Sequence, residues 1–77
     1  MTKSMYDLAI DHALSTLARG EVVKMDTLRY LFGPAACKAA DDLVYEGLCS
    51  KAFDGITAYL YPTLRYLDSK HAPTKKG

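Results

Sequence analysis

The chain has 77 residues, 49% of them hydrophobic and 25% charged, with a formal net charge of +1. That length supports one hydrophobic core, burying roughly 60% of the surface of the unfolded chain, and excludes a second one. The composition excludes the apolar-poor class of disordered chains, and no apolar run approaches the ~20 residues of a membrane span or the apolar stretch of a secretion signal, so a cytoplasmic protein with no membrane partner is expected.

Ser4 followed by Asp7 predicts a helix N-cap with an acidic third position, which favours the helix dipole. The first helix is expected over 5–18, with Tyr6, Ala9, Ile10, Ala13 and Leu17 on its core stripe and Gly20 ending it. Leu8, among the polar residues opposite, is expected either covered by the C-terminal segment or exposed. Val22 and Val23 mark a short extended piece over 21–24 that pairs with later strands. Asp26 is the expected N-cap of a second helix over 27–32, with Leu28, Leu31 and Phe32 inward. Gly33 and Pro34 stop that helix and start a third over 34–46, because the first helical position cannot use the amide hydrogen that proline lacks. On this third helix Ala36, Ala40, Leu43 and Val44 are expected inward and Lys38, Asp41, Asp42 and Tyr45 outward, with Gly47 closing it.

The stretch GLCSKAFDGITAYLYP, 47–62, predicts a hairpin. Strands are expected over 48–53 and 56–61, joined at Asp54-Gly55, the dipeptide suited to a type I′ turn whose two central residues need positive φ. Ile56, Ala58 and Leu60 are expected on one face, Thr57, Tyr59 and Tyr61 on the other. Pro62 ends the second strand, and a short helix over 63–69 is expected to turn Leu64 and Leu67 inward. Residues 70–77 read as a flexible tail. It is basic: residues 62–77 hold four Lys or Arg against one Asp, whereas 1–61 hold six against eight acidic residues. The domain proper is therefore 1–69, and no internal repeat occurs.

The tight corner LFGP at 31–34, the run LVYEGLCSKAFDGITAYLY at 43–61 and the order of elements over 5–61 resemble the winged helix-turn-helix superfamily. The resemblance implies an α+β fold class, a small winged-helix-like domain of three helices plus a β-hairpin in the C-terminal half and a short terminal helix. It further implies a third helix that enters the DNA major groove, with Lys38, Asp41, Asp42 and Tyr45 toward the bases, and a wing whose Lys51 and Asp54-Gly55 tip lie along the backbone. The charges depart from that pattern. The third helix sets Lys38 against Asp41, Asp42 and Glu46, and phosphates repel a net negative probe. Ile56 stands where members of the superfamily often place Arg or Lys.

The expected function is accordingly a non-catalytic binding module whose partner is another protein, an inhibitor or adaptor of the kind a phage or mobile element directs at a host machine. Its candidate partner-binding residues are Lys38, Asp41, Asp42, Tyr45, Tyr59 and Tyr61, since tyrosines supply large contact area with a polar tip. The alternative is a DNA-binding regulator, served by Lys24, Arg29, Lys38, Lys51, Lys75 and Lys76 and strengthened by homodimerisation through the first helix or the C-terminal segment. An enzyme is not expected: Cys37 or Cys49 would have to meet His12 or His71 across a domain with little room for a cleft, and the Asp41 and Asp42 side chains diverge by about 100° on a helix. Both cysteines lack CxxC spacing and are expected as packing thiols, with no metal and no cofactor.

Overall fold

The computed structural model describes residues 2–68. The expected basic tail, with Lys70, His71, Lys75 and Lys76, lies outside them. The elements in order are α1 (Met5–Ala18), β1 (Val23–Lys24), α2 (Met25–Phe32), α3 (Ala35–Tyr45), β2 (Cys49–Phe53), β3 (Ala58–Pro62) and α4 (Leu64–Leu67). The fold is α+β and winged-helix-like: three helices feed a hairpin, and β1 joins it to make an antiparallel sheet of order β1-β3-β2. Val23 pairs with Leu60 and Lys24 with Tyr59, while β2 runs along β3 from Cys49 opposite Pro62 to Phe53 opposite Ala58.

Helix α1 forms where its caps and stripe place it. The Ser4 hydroxyl accepts the Asp7 amide at 3.1 Å, and Ala9, Ala13 and Leu17 are buried with Tyr6, Ile10 and Leu14 packed at the margin. Thr16 joins them, because its hydroxyl donates to the His12 carbonyl at 2.8 Å and so enters the core satisfied. Leu8 is exposed. Helices α1 and α3 both end in reciprocal cap bonds. Gly20 N–H reaches Leu17 O at 2.9 Å and Glu21 N–H reaches Thr16 O at 3.2 Å. After α3, Gly47 N–H reaches Val44 O and Leu48 N–H reaches Leu43 O, both at 3.0 Å.

Gly47 holds φ +81°, and a Cβ added there would sit 3.1 Å from Arg65 Cδ. That arginine stem can yield, so the left-handed backbone carries the cost. Gly47→Ala is expected to lower stability by more than about 1 kcal/mol, read as a lower urea midpoint at unchanged slope.

Several expectations are corrected. Helix α2 starts at Met25 with Lys24 as its N-cap, so Asp26 lies inside the first turn and pairs with Arg29 at 3.0 Å instead of capping. Met25 and Leu28 are its buried residues, and Leu31 is exposed. On α3 the inward set is Ala36, Ala39, Ala40 and Leu43, whereas Val44 is exposed. Cys49 is buried but Cys37 is exposed. The hairpin turn is not type I′: among non-glycine described residues none has positive φ, so Asp54 cannot occupy a central position of that turn. Instead Asp54 Oδ1 accepts the amides of Ile56 and Thr57, each at 2.8 Å, within a four-residue connection between Phe53 and Ala58. Ile56 consequently leaves the strand and is exposed. In α4 the inward residue is Tyr66, fully buried, with Leu64 and Leu67 exposed.

Candidate functional site

The outward face of α3 carries Lys38, Asp41 and Tyr45, three residues at helical spacing and all exposed. Tyr45 retains 90% of its surface, so its ring makes almost no contribution to the core. Asp42 departs from the outward set. It is half-buried toward α1, where the Tyr6 hydroxyl donates to its Oδ2 at 2.5 Å and the Lys38 ammonium approaches to 3.7 Å. The same ammonium stands 5.8 Å from the centre of the Tyr6 ring. Tyr6, Asp42 and Lys38 thus brace α1 against α3, and the hydrogen bond to Asp42, aided by burial, holds the Tyr6 phenol above its usual range.

Tyr59 and Tyr61 lie elsewhere. Leu60 between them is fully buried and pairs with Val23, so strand alternation turns both tyrosines to the face of the sheet away from the helices. There Tyr59 pairs with Ala52 and Lys24, and Tyr61 pairs with Ser50. The Tyr59 hydroxyl is committed to Asp54 Oδ2 at 2.9 Å, which makes it part of the hairpin. The six residues expected to bind a partner therefore divide into an α3 surface and an outer sheet surface.

The basic residues do not converge either. Arg29 is held by Asp26 and Lys38 by Asp42. Lys24 shares the outer sheet face with Tyr59, and Lys51 sits opposite Leu60 on the edge strand β2, exposed beyond the core. Lys75 and Lys76 lie outside the described residues. What the sequence reading missed is apolar: Tyr30 on α2 is 88% exposed, and Phe53 and Ile56 give the hairpin an apolar tip. A signal for Tyr30 existed, since it lies about 160° around the helix from Leu28.

At that tip, the Thr57 amide, the Ile56 amide and the Tyr59 hydroxyl hold the Asp54 carboxyl below its ordinary range. A depressed folded value means that the stabilisation is complete above the unfolded carboxyl range near ~3.9 and is lost as pH falls through the folded value. The Ile56 and Thr57 amides are therefore expected to lose exchange protection on acidification, and Asp54→Asn should remove that pH dependence. An unchanged acid response in the variant would refute the assignment.

Among the described residues no group of three or more His, Cys, Asp or Glu is placed to hold a metal ion, and no helix is long and apolar enough to cross a membrane. Burial pushes the Cys49 thiol up to about 11, which suppresses the reactive thiolate. Iodoacetamide at neutral pH is expected to label Cys37 alone, with Cys49 reacting only after denaturation, as peptide mass mapping would read. No protein-family model matches the chain, and no curated protein or solved structure matches it significantly.

Proposed function

We propose that the chain is a non-catalytic protein-binding module of inhibitor or adaptor type, which uses its winged-helix-like scaffold to present α3 to a protein partner. The observation that carries this reading is Tyr45, an almost fully exposed aromatic set beside Asp41 and Glu46 at the end of a helix with a net negative charge. An exposed tyrosine adds nothing to folding, but it supplies a rigid contact surface at low entropic cost to an interface. Duplex DNA finds no matching feature on this helix. Its affinity for proteins comes chiefly from Lys and Arg replacing condensed counterions, and the only such residue on α3 already faces Asp42.

Binding of labelled duplex DNA between about 50 and 200 mM salt, beside capture of partners from lysate on the immobilised chain, separates the two readings. Weak DNA binding that disappears with residues 70–77, together with a saturable protein partner, is the expected result. Nanomolar duplex affinity with a steep salt slope that survives that deletion would replace the protein reading with the DNA-binding regulator.

A further inference from the structure

A cleft of about 360 Å³ opens between α1 and α3, next to the α3 surface that carries Tyr45. Its floor is apolar, formed by Ile10 and Leu14 of α1 with the buried Leu43 and Leu48. Its rim is acidic: Asp7 and Asp11 stand on the α1 side, Asp42 and Glu46 on the α3 side, with Lys3 the one cation lining it among the described residues. Two of these carboxylates are satisfied from within the chain. Lys3 pairs with Asp11, and Tyr6 and Lys38 attend Asp42. Asp7 and Glu46 have no side-chain hydrogen bond or ion pair among the described residues.

An occupant must therefore offer alkyl surface to the floor and positive charge to the rim. A lysine or arginine side chain has both, an aliphatic stem that packs on apolar surface and a head that stays among carboxylates. The volume lies near the lower end of the ~300 to 1,000 Å³ typical of ligand pockets, a size for one or two side chains. We propose that the α1–α3 cleft seats a Lys or Arg presented by an amphipathic segment of the protein partner lying along α3. This rests on the protein-binding reading above, and the two surfaces are continuous, since Glu46 follows Tyr45 in the chain and Asp42 lies one turn before it.

The test titrates the full chain, with labelled Ile and Leu methyl groups, with three probes followed by NMR: acetyl-Leu-Lys-Leu-Arg-Leu-Lys-amide, its glutamate counterpart, and spermidine. The basic peptide is expected to shift the Ile10, Leu14, Leu43 and Leu48 methyls saturably, and the glutamate peptide is expected to leave them unmoved. The Asp7→Asn, Glu46→Gln double variant, which loses the first-turn carboxylate of α1 and is compared at a temperature where both proteins are fully folded, should bind the basic peptide about tenfold more weakly. The proposal is overturned by shifts located elsewhere, by undiminished affinity in the double variant, or by spermidine acting at equal affinity, which would make the cleft a bare cation site. Contacts from Lys75 or Lys76 to Leu43 in the free chain would also overturn it, assigning the cleft to the protein's own C-terminal segment. If the double variant keeps a captured partner that Tyr45→Ala loses, the cleft proposal fails alone. If neither substitution affects capture and duplex DNA binds, the protein-binding reading fails with it.

Discussion

Replacing Tyr66 by alanine is expected to cost about 3–5 kcal/mol, the range for truncating a fully buried aromatic. Among the described residues Tyr66 is the largest fully buried side chain, and it is the only buried residue of α4. A helix of four residues has no stability of its own, because forming its first turn fixes several dihedrals for a single bond. Helix α4 stays in place through Tyr66 and through Thr63, whose amide donates to Leu48 O at 3.1 Å and whose hydroxyl donates to Gly47 O while accepting the Tyr66 amide. Domains of this kind are stable by ~5–15 kcal/mol, so the loss removes a large share of the total. A urea titration reads it as a lower midpoint at unchanged slope. Tyr66→Phe keeps the buried ring and should cost less. Leu64→Ala, at an exposed position, should stay within about 0.5 kcal/mol. The reverse order, with Leu64 costly and Tyr66 cheap, would show that α4 packs the other way round.

Tyr66 also marks where sequence reasoning loses its hold. Over the fourteen residues of α1 the apolar repeat fixes both the helix and its inward face, and Ser4 and Gly20 fix the ends. Four residues span barely one turn, so periodicity has no phase, and Leu64 with Leu67 outvoted a tyrosine that only its packing reveals. On α3 the same blindness has another cause. Alanine carries a weak hydrophobic signal, so the pattern points Val44 inward, whereas Ala39 is buried and Val44 exposed.

Local chemistry misled in two places. Asp26 has the right character for a cap, but chain entry from β1 starts the helix two residues earlier and leaves it to pair with Arg29. Asp54-Gly55 has the composition of a two-residue turn, yet the carboxylate reaches two amides ahead and opens the turn to four residues. The α3 surface was legible in Lys38, Asp41 and Tyr45, which need only the helix to be placed. The cleft was not. The Tyr6 to Asp42 bond joins residues 36 apart in sequence, and nothing local to either predicts that they meet.

Two substitutions on α3 separate a protein partner from DNA by the sign of their effects. Tyr45→Ala is expected to leave the melting temperature unchanged, because the side chain is almost wholly solvated, and to weaken a protein partner about 30-fold, the equivalent of ~2 kcal/mol at an aromatic anchor. Asp41 is exposed and makes no ion pair or side-chain hydrogen bond among the described residues, so Asp41→Lys is also expected to leave the fold intact. It moves the charge of the segment 34–46 from −2 to 0, since one carboxylate becomes one ammonium. A partner presenting basic side chains then loses attraction and binds more slowly, most visibly at low salt, where charges on the rim of an interface act chiefly on the association rate. A duplex gains a phosphate contact, and the slope of log affinity against log salt steepens by about 0.9. Asp42 is the wrong position for this experiment despite its neighbouring place in the sequence, because its carboxylate holds Tyr6, and reversing its charge would disturb the α1–α3 brace along with any interface. Weakened capture by both variants at constant stability supports the protein partner. Tighter, more salt-dependent duplex binding by Asp41→Lys, with capture untouched by Tyr45→Ala, would transfer α3 to nucleic acid.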